Sequence, residues 1–308
     1  MRYLGGRLLQ AGLSVLGVST IVFFVLRLSS DPVLLVAPQN ASVQDILRIR
    51  HSLGLDQPLP AQYLTFLGGL VHGDLGYSYI QGQSATELVL GRLPATIELT
   101  LAALVIAVGV GVPIGMLTAT RRGTWVEAVL MPVVLVGQSM PAFWTGILLI
   151  LFFSVRLHLL PSSGQGGLDS LVLPAVTLGS LSLATFARIT RSSFLEQLQK
   201  DYVRTALSKG AGPLRVMVVH VLRNASIPIL TIAGLELANL LGGAVITESI
   251  FAWPGIGQLT VQSIAARDFP IVQAVVLLGS VIYIFTNLGT DLLYGVIDPR
   301  VRLAGADG

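Results

Sequence analysis

The sequence predicts an all-α polytopic membrane protein with six transmembrane helices and both termini on the cytoplasmic side. Three observations carry this reading. First, 53% of the 308 residues are hydrophobic, only 11% are charged, and the mean hydropathy is +0.78. An average soluble domain is about 25% charged, so disorder, a coiled coil and nearly every soluble enzyme are excluded. Second, the chain holds a series of apolar stretches of about the 20 residues that a helix needs to cross the hydrocarbon core. Third, the basic residues are unevenly shared among the segments that join those stretches, as cytoplasmic loops demand. The net charge of +3 follows from that bias and requires no nucleic acid. There are no cysteines, which excludes disulfides, thiolate metal sites and thiol nucleophiles.

Residues 1–29 form the first span. Leu8 to Leu28 is apolar apart from Gln10, small polar residues and Arg27. It is too long for a signal-peptide core, and no A-x-A-like site follows. Residues 30–94 are rich in Pro, Asp, Gln and Gly and contain no run long enough to span. They read as an extracytoplasmic helical segment. Within it, Ser42 to Asp45 is an S-x-x-D capping pattern. Ile46, Ile49 and Leu53 recur at helical spacing, and Gly54 suits a left-handed helix end. Pro58 and Pro60 mark a turn, and Tyr63 to Val71 predicts a second short helix.

Residues 95–308 hold the other five spans: Ala95–Ala119, Val126–Val155, Leu171–Ile189, Ile227–Ile250 and Pro270–Thr290. Val126–Val155 carries Pro132, Gly137 and Pro141. It reads as one kinked helix, because two crossings need about 40 residues. With six spans, thirteen of the nineteen Lys and Arg fall on the cytoplasmic side, five fall outside, and Arg27 lies at a span end. A seventh span would move the basic stretch Arg188–Arg223 outside, against the positive-inside rule.

Catalytic signatures are missing. No Gly-x-x-x-x-Gly-Lys-Ser/Thr occurs, so the chain does not hydrolyse ATP through a P-loop. His51, His72, His158 and His220 are scattered, and no His-Glu-x-x-His exists. Gly137-Gln138-Ser139 lacks the second glycine of a nucleophile elbow and reads as a kink. No catalytic residue, metal ligand or resident cofactor is expected. The Asn40-Ala41-Ser42 sequon is assigned no role. Gly111 to Gly115 and Gly242-Gly243-Ala244 are small-residue clusters that let helices approach closely, inside the chain, against a second membrane subunit or at a pore wall.

Glu236 lies about ten residues into the fifth span, with Asn239 three positions on. A charge at that depth costs about 2.5–3.5 kcal/mol, so it faces water or a partner. Glu236, Asn239 and Gly243 are therefore candidates for a translocation path, with a helix-fixing Glu236 as the alternative. Glu98, Glu127 and Asp291 lie nearer span ends, and Asn287 and Asp291 share a helix face. An ATP-independent transporter or channel is the competing function, but it would carry its coupling carboxylates deep in the spans, where Glu236 stands alone.

The cytoplasmic stretch 191–226 is the most informative. A short amphipathic helix through Asp201-Tyr202-Val203-Arg204-Thr205-Ala206-Leu207-Ser208-Lys209 stops at Gly210. Gly212-Pro213 follows, and a second helix, Leu214 to Asn224, returns to the membrane. This stretch resembles the coupling motif of ABC-importer permeases: Arg204, Thr205 and Ala206 stand where Glu-Ala-Ala would be, and Gly210 matches the motif glycine. Asp201–Ala206 and His220-Val221-Leu222-Arg223-Asn224 resemble the dipeptide, oligopeptide and nickel branch. Leu53–Pro60 with Gln62-Tyr63, Gly73–Ser78, Glu248–Gly257 and Asp298-Pro299-Arg300 are similar to segments of its first permease, in the same order.

The resemblance implies an ABC type I importer permease fold and a chain that performs no bond chemistry. It implies a second homologous permease, two ATPase subunits that bind ATP and Mg, and an extracytoplasmic peptide-binding protein. The substrate would be a dipeptide or oligopeptide, with nickel chelates and glutathione used by relatives. Asp201, Tyr202, Arg204, Ala206, Lys209 and Gly210 would couple to the ATPases. Asp74, Tyr77, Glu248 and Trp253 would form an extracytoplasmic gate or dock the binding protein.

Overall fold

The computed structural model describes residues 2–29, 33, 42–52 and 54–297. The sequon, Leu53 and the Asp298-Pro299-Arg300 signature fall wholly or partly outside them, as does the side chain of Asp291. The elements in chain order are α1 (Arg2–Ser29), α2 (Val43–Ser52), α3 (Leu59–Val71), β1 (Tyr77–Ser78), β2 (Gln83–Ser84), α4 (Ala85–Thr120), α5 (Trp125–Ser139) and α6 (Ala142–Leu149). Then come α7 (Leu168–Leu198), α8 (Asp201–Ser208), α9 (Leu222–Ile250), α10 (Ile256–Ala265) and α11 (Phe269–Ile297). Among the described residues, four helices are long and apolar enough to cross a membrane, or five if α5 and α6 together make one span. The apolar stretch Leu9–Val25 of α1 is shorter. The chain divides into two compact units, residues 1–95 with 254–285 and residues 96–253 with 286–308. Helices α4 and α11 contribute to both.

In the first unit, α2 begins as its sequence demands. The Asp45 amide donates to Ser42 Oγ at 3.2 Å, and the Asp45 carboxylate accepts the Ser42 amide and hydroxyl at 3.2 and 2.7 Å. These bonds hold the Asp45 carboxyl below the usual carboxylate range. Gly54 closes the element with φ +64°. The expected turn at Pro60 is instead the first turn of α3, where a residue without an N–H is tolerated because that donor would be unpaired anyway. Phe23 of α1 packs on Phe66 and Tyr63 of α3, with centroids 5.3 Å apart, and the Thr20 and Tyr63 hydroxyls meet at 2.5 Å. The β1–β2 hairpin is two residues on each side, too short and polar to be legible beforehand. Its Ser78 hydroxyl donates to the buried Asp268 carboxylate. Ala85 and Val89 pack against Leu259, Ile271 and Ala274 in the core.

In the second unit, α7 is the central helix and packs against α5, α6 and α9. It meets α4 where both are small: a Cβ on Gly111, Gly115 or Gly179 would lie 2.8, 2.6 or 2.6 Å from a backbone carbonyl oxygen of the facing helix. Packing inside the chain thus accounts for the Gly111–Gly115 cluster. The expected single kinked helix at 126–155 is broken outright. Met140 is extended with ψ 134°, because the residue before a proline avoids the helical region. Pro141 then opens α6, which continues as a π-helix over Ile150–Arg156. The two arms bend by 104°.

Further boundaries differ from expectation: α4 begins at Ala85, ten residues before the expected Ala95. Helix α7 runs nine residues past Ile189, so the stretch 191–226 is mostly helical. The expected second loop helix is not separate: a turn at Pro213–Arg215 and a π-helix at Val216–Val221 lead straight into α9. Pro228 does not stop it, as membrane helices tolerate proline when neighbours satisfy the freed carbonyl.

Candidate coupling site and translocation path

Helix α8 has two faces. Tyr202, Val203 and Ala206 turn inward, onto a core of Ala119, Phe194, Val216 and Val221. The Tyr202 hydroxyl donates to Gln197 at 3.0 Å. Asp201, Arg204, Thr205, Ser208 and Lys209 are exposed, and Leu207 keeps 46% of its surface open. The expected coupling residues therefore split: Tyr202 and Ala206 anchor the element, while Asp201, Arg204, Lys209 and Gly210 form its outer side. Apolar Leu207 and Leu214, both exposed, were missed by sequence reasoning. Their only signal was an apolar residue on the polar side of an amphipathic turn.

The turn after α8 is a Schellman motif. The Gly210 amide donates to Leu207 O at 2.9 Å and the Ala211 amide to Ala206 O at 3.2 Å. Gly210 has φ +83° and open space around it. A side chain there meets no steric neighbour but strains the backbone. Phe194 of α7, Val203 of α8 and Val221 before α9 share one buried cluster, so a displacement of α8 is felt by both long helices.

Deeper in this unit, the buried Ser182 hydroxyl of α7 donates to Glu236 Oε2 of α9. Glu236 is only partly buried, Asn239 is exposed, and a Cβ on Gly243 would touch Leu178 at 3.7 Å. At one end of α5 and α7, Glu127 accepts the Gly123 amide at 2.7 Å and Arg191 Nε at 2.8 Å. No sequence signal joined this pair.

Glu248 and Trp253 are fully buried. Thr96 donates to Glu248 Oε1 at 2.7 Å, and the Trp253 amide donates to Glu248 O at 2.8 Å. Between them Ala252 holds φ +47°, a conformation that favours glycine. In this arrangement neither side chain offers surface to a binding protein. Asp74 and Tyr77, in the first unit, are exposed. Among the described residues no three His, Asp or Glu come together where a metal ion could sit.

Long apolar helices joined by a helix–glycine–helix projection mark a multi-pass membrane protein. Residues 111–303 match the family described as the binding-protein-dependent transport system inner membrane component, and residues 1–100 match the N-terminal part of such membrane components. The chain belongs to this family and is a multi-pass protein of the bacterial inner membrane. It is 42% identical to the di/tripeptide transport system permease DppB of Pseudomonas aeruginosa over 93% of this chain and 94% of that protein. It is 38% identical to the dipeptide transport system permease DppB of Escherichia coli K12 over the same shares. It is 41% identical to the glutathione transport system permease GsiC of Escherichia coli O6:H1, covering 98% of this chain and 99% of that one. Among solved structures, a chain of the inward-facing MetNI methionine ABC transporter matches with a TM-score of 0.54 at 19% identity, covering 68% of this chain and 96% of its own. An amino acid ABC transporter chain matches with a TM-score of 0.53 at 20% identity, covering 68% and 94%. At these identities the likeness is one of fold.

Proposed function

We propose that this chain is the permease subunit of an ATP-binding-cassette importer that carries dipeptides or oligopeptides across the inner membrane. Full-length relatives named as di/tripeptide, dipeptide and glutathione permeases, at 38–42% identity, support the substrate class. The observation that carries the mechanism is α8: anchored by Val203 inside and presenting Arg204, Leu207 and Lys209 outside. That outer side is shaped to seat in a groove of an ATPase. The assembly comprises a second homologous permease, two ATPases that bind ATP and Mg, and an extracytoplasmic peptide-binding protein. Six spans, cytoplasmic termini and an extracytoplasmic segment at residues 30–94 complete the topology.

Transport proceeds by alternating access. ATPase movement displaces α8, and the cluster it shares with α7 and α9 passes the displacement to the spans. Glu236 serves first to fix α9 to α7 through Ser182. Glu248 and Trp253 belong to a gate, and Asp74 and Tyr77 to a docking surface. The test is ATP-dependent uptake of a labelled dipeptide by membranes that hold the assembled transporter. Wild type takes up the dipeptide. Gly210→Asp inserts normally but loses uptake and co-purifying ATPase. Equal uptake without any ATPase, or an unaffected Gly210→Asp, overturns the reading.

A further inference from the structure

The first unit contains a cavity of about 390 Å³, within the size range of small-molecule sites. It is built by the end of α1, by α3, by the stretch before and after β1, and by residues 267–273. Its walls are aromatic and aliphatic, with Phe23, Phe66, Phe269 and Leu75 among them. Its polar groups are of unusual kinds. Gln62 and Gln273 both line it, and each carries a buried amide atom without a hydrogen-bond partner: Gln62 Oε1, an acceptor, and Gln273 Nε2, a donor. Orphaned buried polar atoms are rare in folded proteins, and each calls for a reason. The Gln62 amide is fixed by its Nε2, which donates to Gln57 O at 2.8 Å and Leu55 O at 3.3 Å, whereas the soft terminal torsion of glutamine lets the Gln273 amide turn toward an occupant.

A second observation lies at the rim. Exposed Arg267 holds φ +59°. The Arg267 amide donates to Ile264 O at 3.1 Å and the Asp268 amide to Ser263 O at 2.7 Å, so arginine occupies the position in this helix end where glycine costs least. Backbone strain held in this way clusters at ligand clamps. Asp74, also exposed, lines the same cavity.

We infer that this cavity is a binding site for a small free peptide, built from residues other than those around Glu236. One orphaned acceptor and one orphaned donor match the N–H and C=O of a peptide group. Arg267 and Asp74 supply one charge of each sign for a carboxylate and an ammonium group, and the aromatic walls take the side chains. The identity of the occupant rests on the peptide reading above.

Two arms separate the claims. Uptake of a labelled dipeptide by the complete transporter tests the functional reading alone. The permease complex without its binding protein is then photolabelled, below saturation, with a dipeptide that contains benzoylphenylalanine. Label is expected within residues 54–80 or 267–273 and is competed by unlabelled dipeptide. Gln273→Leu lowers it about tenfold, the loss carried by one hydrogen bond. If Gln273 were merely an unsatisfied group, that same change would leave labelling intact and stabilise the protein. Arg267→Ala, on the exposed rim, weakens labelling by the free acid more than by its C-terminal amide, and it carries the test should Gln273→Leu not reach the membrane. In a transporter that takes up the dipeptide, the site is overturned by label elsewhere, by label that is not competed or needs the binding protein, or by an unchanged Arg267→Ala.

Discussion

Ser182 and Glu236 meet in the second unit although 54 residues separate them. Gln in place of Glu236 keeps an acceptor for the hydroxyl, so Glu236→Gln should retain most dipeptide uptake. Glu236→Leu removes the bond between the helices, though Ser182 can turn to a carbonyl of its own helix, and should lower the melting temperature of the purified protein by the equivalent of about 1 kcal/mol. Glu236→Lys should impair uptake most, and normal uptake by that variant removes Glu236 from the path. A second residue test concerns Gly115. Its added Cβ would stand 2.6 Å from Ala187 O, whereas Gly109 has nothing within 4 Å. Gly115→Ala should cost about 1–3 kcal/mol and reduce the yield of folded protein, and Gly109→Ala should not. At this scale legibility was uneven. Glu236 stood out by its depth and Gly210 by the Gly-x-Gly-Pro break. Ser182 could not be foreseen, because a serine in an apolar run bonds its own helix as readily as a neighbour. The left-handed Ala252 and Arg267 were equally hidden, since neither residue type signals positive φ.

Helices α5 and α7 are held together at one end by Glu127 and Arg191, whose side chains keep 18% and 29% of their surface. A double-mutant cycle of Glu127→Leu and Arg191→Leu on thermal stability should give a coupling of about 1 kcal/mol. A zero coupling assigns the pair no role. The apolar stretches made every long helix visible, yet the ends were missed. Hydropathy marks where the membrane ends, not where hydrogen bonding ends, so α7 overran its expected terminus by nine residues. The same reasoning underestimated Met140-Pro141: two prolines read as a kink, but only the second forces its predecessor into an extended conformation.

The molecule as a whole was legible in kind and less so in grouping. The alternation of apolar stretches with a basic segment pointed to a multi-pass membrane protein, the resemblance of Asp201–Ala206, Gly210 and His220–Asn224 pointed to a permease, and the family match bears it out. That residues 254–285 group with residues 1–95 was not readable, because only contacts between distant segments reveal it. The proposed topology has a direct check in a chain free of cysteine. Ser52 and Gln81 are exposed, and cysteines placed there should react with an impermeant thiol reagent in intact cells. Labelling only after lysis reverses the sidedness.

The glycines at 111, 115 and 179 bring α4 and α7 together so closely that backbone carbonyl oxygens of one helix face glycines of the other, with the first carbons of Phe186 and Thr190 packed into the same contact. Such a seam has no slack. Helices joined through side chains can shift by changing rotamers, but a carbonyl set against a glycine leaves no alternative register of similar energy. This stretch of α4 and its partner α7 therefore act as a single girder. Whatever opens and shuts must find its play in joints padded by larger side chains, such as the Leu and Ile contacts of α9. Amide hydrogens along the seam should be the last of the second unit to exchange with solvent, in resting and in working transporter alike.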